Sequence, residues 1–293
     1  MRKEKFDFPH TRNPVDPKSP DKVRAALRKE PRYSHENSIL LTNYFFMREF
    51  LQAMAKEDGS LIVGGSNSYI AYRKPTLSLA DCSLRLPSDL DAQTKLHPEQ
   101  MLELIKDIIS GEKDAKIILK DTEITTKSSL KTSIDVDMHG LLGKVYIDVV
   151  ANEGLAHSQK KMNKIITTDE IFDVNVPDLE VSIAGKIESI LNRISFAERN
   201  VGYRIKDFYD IYALCHDSDI NRKLVNEYLS HKIDRNRRFR DSLRHAQDDM
   251  DTFVDATKDA QWTRFKRQNK VAPDADVDKI IGFGKNLIQD MEI

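Results

Sequence analysis

The spacing of apolar residues changes along this chain, and the change separates a mixed region from a purely helical one. Between Ser38 and Lys56 apolar residues return every three or four positions, which predicts a helix that ends before Gly59. The short run Ser60–Val63 predicts a strand. A turn with two glycines then leads into a predicted helix over Asn67–Tyr72.

The middle of the chain adds a helix and three strands. Residues 97–109 have the helical period, with Pro98 in the first turn, where a missing N–H is tolerated. Three segments have strand composition, and GLLG at 140–143 predicts a hairpin between the last two. These strands are predicted at 115–127, 132–139 and 144–150. From Pro177 onward the predicted helices are 178–194, 204–216, 219–231, 234–258 and 275–291.

Mixed strands and helices followed by helices alone are typical of an α+β fold with a separate helical part. Residues 1–36 hold five of the ten prolines, which predicts an extended N-terminal arm. Residues 37–175 then form a predicted α+β domain with a mixed sheet, and residues 176–293 form a predicted helical-bundle domain.

Composition and charge narrow the class of function. Apolar residues make up 40 % of the 293 positions and charged residues 32 %, as in globular proteins with a core. The formal net charge of −1 requires any surface for nucleic acid to be local. Cys82 and Cys215, far apart in sequence, indicate neither a disulfide scaffold nor a zinc cluster. Without a signal-peptide pattern or a run of membrane-spanning length, we expect a cytoplasmic protein with no membrane partner.

The turn Gly64-Gly65-Ser66 is the first candidate for chemistry. It lies between a predicted strand and a predicted helix, where backbone N–H groups at the helix start favour an anion. Glycines let the backbone approach a phosphate without an intervening side chain. The alternative is an ordinary tight turn in which Ser66 or Asn67 caps the helix.

Aspartates at alternate positions are the second candidate. Asp89 and Asp91 share one face of a predicted strand, and a cation such as Mg²⁺ would offset the repulsion between their carboxylates. Asp148 lies within an apolar strand, where a charge is costly unless it is paired or bound to metal. Asp135 and Asp137 form a rival pair without a preceding glycine turn, and a solvated strand edge is the alternative for either pair.

Charged residues beside helical apolar stripes are the third candidate. Lys186 and Arg193 lie at the margin of the stripe of helix 178–194, from which their side chains can reach a ligand. Asp207 and Asp210 share a face of the next helix. A structural salt bridge between these cations and these aspartates is the alternative interpretation.

These residues together resemble a known family. The GGS turn, the D-x-D motif and the lone strand aspartate resemble the DNA polymerase β nucleotidyltransferase superfamily. The later segments LEVSIAGKIESILNR and RIKDFYDIYAL resemble its AbiEii group. This group contains nucleotidyltransferase toxins of abortive-infection and MenT-like toxin–antitoxin systems. The resemblance spans about residues 61 to 216.

The resemblance implies a role for each candidate. The implied nucleotide-binding residues are Gly64, Gly65, Ser66, Lys186 and Arg193. The implied ligands of Mg²⁺ or Mn²⁺ are Asp89, Asp91 and Asp148. These three aspartates, with Lys186 and Asp207, are also the implied catalytic residues. Asp210 is the alternative to Asp207. We expect the three metal-binding carboxylates to converge, and we expect Lys186 to contribute to nucleotide affinity more than to stability.

The resemblance also implies the reaction. A nucleoside monophosphate would pass from an NTP to an acceptor hydroxyl on RNA, at the 3′ end of tRNA, and a cognate antitoxin would be a partner. The alternatives are a small-molecule or protein acceptor, and a non-catalytic module that binds nucleotide or nucleic acid.

A cluster of arginines near the C-terminus is the candidate RNA contact. The cluster consists of Arg235, Arg237, Arg238, Arg240 and Arg244. These residues crowd the first half of the predicted helix 234–258, where the helix dipole disfavours cations. Such a placement indicates that the arginines bind phosphates. The alternative is a solvated helix face.

Overall fold

The computed structural model describes residues 19–29, 38–72, 86–112, 115–126, 128–152, 157–162, 171–195, 205–235, 258–269 and 276–290. The chain divides into two compact units, one made mainly of residues up to Pro177 and the other mainly of residues from Asp178 onward.

The first unit combines helices with a seven-stranded sheet. Its described helices are α1 Pro20–Lys29, α2 Ser38–Glu57, α3 Gly65–Tyr72 and α4 Pro98–Gly111. Its strands are β1 Ile62–Val63, β2 Leu90–Thr94, β3 Lys116–Thr126, β4 Ser129–Met138, β5 Leu141–Ala151, β6 His157–Met162 and β7 Phe172–Pro177. The strand order is β3-β4-β5-β2-β1-β7-β6. The pairs β2–β5 and β1–β7 are parallel and the others antiparallel, so the sheet is mixed and the α+β prediction is confirmed.

The two faces of the sheet differ in burial around β5. Val145, Ile147 and Val149 are buried on the face against which α2 and α4 pack. A Cβ at Gly143 of β5 would overlap the ring of Phe46 in α2, so glycine at this position permits the close approach of the helix. The alternate residues of β5 lie on the opposite face, which we call the open face, and that face carries the candidate aspartates.

The hairpin between β4 and β5 was predicted at the correct place but with the wrong turn. His139 and Gly140 form a two-residue loop, with φ of 49° and 79°. Two positive φ angles match a type I′ turn, whose twist fits an antiparallel pair. The predicted turn residues from Leu141 to Gly143 belong to β5 instead.

The predicted extended arm contains a helix. α1 begins at Pro20, and its residues Val23 and Leu27 are buried. The Arg24 guanidinium donates to the carbonyl of His139 over 2.8 Å. A proline at the first helical position does not interrupt a helix, and buried apolar contacts stabilise a helix this short.

The second unit is helical in its described part. Its helices are α5 Leu179–Ser195, α6 Ile205–Asp217, α7 Arg222–Arg235, α8 Lys258–Asn269 and α9 Val277–Gln289. α5 packs against α6 and α7, while α6 also packs against α8 and α9. The helix α8 was not predicted, and most of the predicted helix 234–258 lies outside the described residues. None of the helices in the described ranges has the length and apolarity needed to cross a membrane.

Candidate active site

The glycine turn joins β1 to α3 and contacts β2 directly. Gly65 has a φ of +56°, which residues with a Cβ rarely adopt. A Cβ at Gly65 would also overlap Oδ2 of Asp91. Gly64 has ordinary space around it, and its N–H donates to the carbonyl of Asp91 over 2.8 Å. Position 65 therefore requires glycine for two reasons: the turn needs a positive φ, and the Asp91 carboxylate leaves no space for a side chain.

Replacing Gly65 by alanine should impair both stability and the site. We expect a loss of about 1–2 kcal/mol in the free energy of unfolding from the left-handed backbone. Displacement of the Asp91 carboxylate should lower nucleotide transfer about 100-fold. Gly59→Ala is the matched control, because a Cβ there meets no heavy atom within 4 Å. Denaturant unfolding and transfer rates measure the two effects, and equal behaviour of the two variants would contradict the assignment.

A buried asparagine connects the turn to the D-x-D motif. Asn67 is 1 % exposed, and its amide donates to the carbonyl of Asp89 over 2.8 Å. Ser66 is also buried. The sequence indicated Asn67 only as a helix cap, because a contact with a residue 22 positions away leaves no local pattern. Its role in the structure is to position the backbone before β2.

The predicted strand with both aspartates of the D-x-D motif begins only at Leu90, so Asp91 alone lies on it, beside the parallel strand of the lone aspartate. The register pairs Asp91 of β2 with Asp148 of β5, so both carboxylates project from the open face. Adjacent strands are about 4.8 Å apart. Asp89 immediately precedes β2 and accepts from the Ser88 hydroxyl over 2.9 Å. Asp89 and Asp148 line one pocket of about 440 Å³. The structure thus brings the three predicted carboxylates to one side of the sheet.

A lysine that the sequence did not indicate belongs to the same row of residues. Lys131 of β4 is in register with Asp148, and its Nζ lies 3.2 Å from Asp148 Oδ2. The hydrogen bond and charge of Asp148 raise the pKa of Lys131, and the charge of Asp91 adds to this effect. The row across three strands is Asp91, Asp148 and Lys131. Only the strand register places Lys131 here, so no short motif could have identified it.

The rival aspartate pair has structural partners. The Lys120 ammonium lies 2.7 Å from Asp135 Oδ2, and this hydrogen bond lowers the pKa of Asp135. Asp137 accepts from the N–H of Gly140 over 2.8 Å and so supports the hairpin turn. Both carboxylates thus have protein partners, as Asp148 has in Lys131, so the contact of Asp91 with the glycine turn is what distinguishes the candidate site.

Two of the three predicted metal ligands, Asp91 and Asp148, lie side by side, but the expected group of three is not formed. In the part of the chain that the structure describes, no group of three or more His, Cys, Asp and Glu residues is arranged to hold a metal. Mg²⁺ is usually bound through one or two carboxylates together with substrate phosphates and water. Asp91 and Asp148 supply two carboxylates on adjacent strands. The Asp91 carboxylate occupies the space that a side chain at Gly65 would fill.

The candidates in the second unit form a buried ion-pair group. Lys186 Nζ lies 2.8 Å from Asp207 Oδ1 and 2.9 Å from Asp210 Oδ2. Both aspartates are at most 1 % exposed, and the lysine side chain is 14 % exposed. This is the pairing that the sequence analysis gave as the alternative. Because one ammonium binds both aspartates, the contacts favour neither Asp207 nor Asp210 as the functional residue. Arg193 lies in α5.

The candidate RNA contact falls almost wholly outside the described residues. Arg235 is the last residue of α7. Arg237, Arg238, Arg240 and Arg244 lie beyond it, in a range that is not described. RNA binding by this cluster remains a prediction.

Comparison with known families decides the class of protein. The profile described as nucleotidyl transferase AbiEii toxin, type IV toxin–antitoxin system, matches residues 80–282. The chain belongs to the AbiEii family. It is therefore a nucleotidyltransferase of a toxin family, and the resemblance inferred from the sequence is confirmed. The AbiEii match covers the D-x-D motif, Asp148 and the Lys186 group, and it begins after the glycine turn.

Solved structures give more distant similarities to this AbiEii chain. JHP933 from Helicobacter pylori is 15 % identical, with a TM-score of 0.48, covering 85 % of this chain and 90 % of that protein. The Megavirus polyadenylate synthase is 15 % identical, with a TM-score of 0.36, covering 68 % of this chain and 35 % of that one. Comparison with curated protein sequences finds no match.

Proposed function

We propose that this AbiEii protein transfers a nucleoside monophosphate from an NTP to a hydroxyl at the 3′ end of RNA, with tRNA as the acceptor and Mg²⁺ or Mn²⁺ as the cofactor. The observation that supports this most is the pairing of Asp91 with Asp148 on adjacent strands, directly beside the glycine turn. That arrangement brings carboxylates and a phosphate-type turn together in one unit.

The glycine turn is suited to hold the triphosphate. α3 begins at Gly65, so the first N–H groups of the helix and its dipole favour an anion at this end. Gly64 and Gly65 present backbone without side chains, and Ser66 follows them. Lys186 and Arg193 are the further proposed contacts of the triphosphate, with the Lys186 ammonium positioned by Asp207 and Asp210.

The carboxylates are suited to the transfer itself. A divalent cation held by Asp89, Asp91 and Asp148 would neutralise charge on the phosphates and polarise the reacting phosphorus. Asp148 would accept the proton of the acceptor hydroxyl. The acceptor oxygen then forms a bond to the α-phosphorus as the bond to pyrophosphate breaks. Family membership implies an antitoxin that restrains this activity, and we place the reaction in the cytoplasm.

A labelling assay tests the proposal. Purified protein is incubated with total tRNA and each of the four NTPs labelled at the α-phosphate, with Mg²⁺ or with EDTA. We expect one or more NTPs to label RNA, and EDTA to remove the label. Labelled protein or small molecules instead of RNA would show that the acceptor is wrong. Labelling that persists in EDTA would contradict the role of the cation.

A further inference from the structure

Lys131 lies on the side of Asp148 that faces away from the proposed nucleotide site. The glycine turn follows β1, and the sheet continues from β1 through β2 and β5 to β4. Asp91, Asp148 and Lys131 therefore form a row whose last member is farthest from the turn. An attacking hydroxyl that is in line with the leaving pyrophosphate approaches from the side opposite the triphosphate. Lys131 is thus on the acceptor side.

The ion pair of Lys131 conflicts with a cation on Asp148. Its ammonium lies 3.2 Å from the carboxylate, and a divalent cation bound there would repel it. The lysine side chain is 54 % exposed, so it can leave Asp148 without breaking buried packing. A displaced ammonium needs another anion nearby.

A nucleotide bound in the adjoining pocket would supply that anion through its phosphate. Its volume of about 440 Å³ is sufficient for a nucleotide. Lys131 and Tyr146 contribute to its lining together with three aspartates, Asp89, Asp121 and Asp148. Tyr146 is 49 % exposed on the open face, and the Lys144 ammonium lies 4.9 Å from the centre of its ring. An unpaired base would stack on the part of the ring that remains exposed. An ammonium beside an exposed aromatic ring is a suitable combination for a single-stranded nucleotide once a bound cation offsets the charge of the aspartates.

We propose that Lys131 is a movable counter-ion: it pairs with Asp148 before the cation binds, and it turns to a phosphate of the RNA acceptor when Asp148 takes the cation. In this proposal the pocket beside Tyr146 holds the terminal nucleotide of the acceptor. The inference rests on the proposed function and extends it to the acceptor subsite. Its consequence is positive coupling between cation and acceptor binding, carried by one side chain.

The affinity for Mn²⁺ alone tests whether the Lys131 ammonium competes with a cation for Asp148. Lys131→Met removes the competing ammonium and should tighten Mn²⁺ binding about threefold, the size expected for an exposed ion pair. Lys161→Met is the matched control, since Lys161 also pairs across strands with an aspartate, Asp173, at 3.1 Å. Its β6–β7 hairpin is at the other edge of the sheet. Calorimetry or Mn²⁺ spin resonance gives both constants without NTP or RNA.

Binding of a single-stranded oligoribonucleotide tests whether Lys131 contacts the acceptor RNA when the cation is bound. Affinity is measured with and without Mg²⁺ plus an α,β-methylene NTP, which cannot be cleaved at the reacting bond. We expect wild-type protein to bind the RNA more tightly with both present, Lys131→Met to lose this gain, and Lys131→Arg to keep it. Loss of one phosphate contact should lower the salt slope by about 0.7. Tyr146→Ala should weaken binding about tenfold, whereas Tyr146→Phe should not.

The possible outcomes separate this inference from the proposed function. Unchanged Mn²⁺ affinity in Lys131→Met, or an equal gain in Lys161→Met, would overturn the counter-ion role. If the affinity of the wild-type protein for RNA is the same with and without Mg²⁺ and the analogue, the acceptor role is overturned, even if labelled RNA is still formed. A third outcome is that no RNA is labelled while Lys131→Met still binds Mn²⁺ more tightly than wild type. This result would contradict the proposed function, but it would support competition between Lys131 and the cation for Asp148.

Discussion

We expect nucleotide transfer to fall about 1,000-fold when Asp91 is replaced by asparagine. Asparagine keeps the shape of the side chain against Gly65, but it removes the charge that would hold a divalent cation beside Asp148. Loss of cation-assisted charge neutralisation raises a reaction barrier by several kcal/mol, and about 4 kcal/mol corresponds to this factor. The rate is measured as α-labelled NMP incorporated into tRNA per minute.

Asp135→Asn is the control for this prediction. Asp135 also projects from the open face of a strand, but its carboxylate pairs with Lys120 at 2.7 Å. We expect this variant to retain activity within about twofold and to bind Mn²⁺ as wild type does, because an exposed ion pair contributes little. The free energy of unfolding should change by less than about 1 kcal/mol in both variants. Equal losses of activity would show that the two aspartate pairs were assigned wrongly.

The second large effect concerns stability. We expect Lys186→Met to lower the free energy of unfolding by about 3–5 kcal/mol, since two buried carboxylates lose the ammonium that binds them. The sequence led us to expect a small effect on stability, because a lysine at the margin of an apolar stripe is usually solvated. The burial of Asp207 and Asp210 reverses that expectation.

Arg222→Met provides the comparison within the same unit. The Arg222–Asp290 pair has a similar distance, 3.1 Å, but its side chains are 56 % and 59 % exposed. We expect its loss to change the free energy of unfolding by less than about 1 kcal/mol. Thermal unfolding followed by circular dichroism measures both variants. A melting temperature for Lys186→Met equal to that of wild type would contradict the buried ion pair.

The proposed nucleotide role of Lys186 needs a separate measurement. Mg-NTP affinity is determined by calorimetry at a temperature where both proteins are fully folded. Weaker binding by the Lys186→Met protein would support contact with the triphosphate. Unchanged affinity together with lower stability would assign the residue to the ion-pair group alone.

Local pattern was sufficient for much of the fold and for the choice of family. The helical periods of α2, α4 and α6 and the strand composition of β5 are properties of short segments, and the structure has these elements within a few residues of the predictions. The glycine turn, the D-x-D spacing and the Lys186 and Asp207 segments are also local, so the family could be recognised from them. The same holds for the mixed order of elements, which predicted the α+β class.

Contacts between distant segments decided the rest. Two aspartate pairs had the same local pattern, and only the strand pairing placed Asp91 beside Asp148 while giving Asp135 to Lys120. Lys131 entered the site through the register of β4 on β5. Strand register depends on which segments pair and on what each face buries, and a shift of one residue exchanges the two faces. The sequence therefore determined which chemical groups this AbiEii protein carries, whereas tertiary structure determined which of them meet.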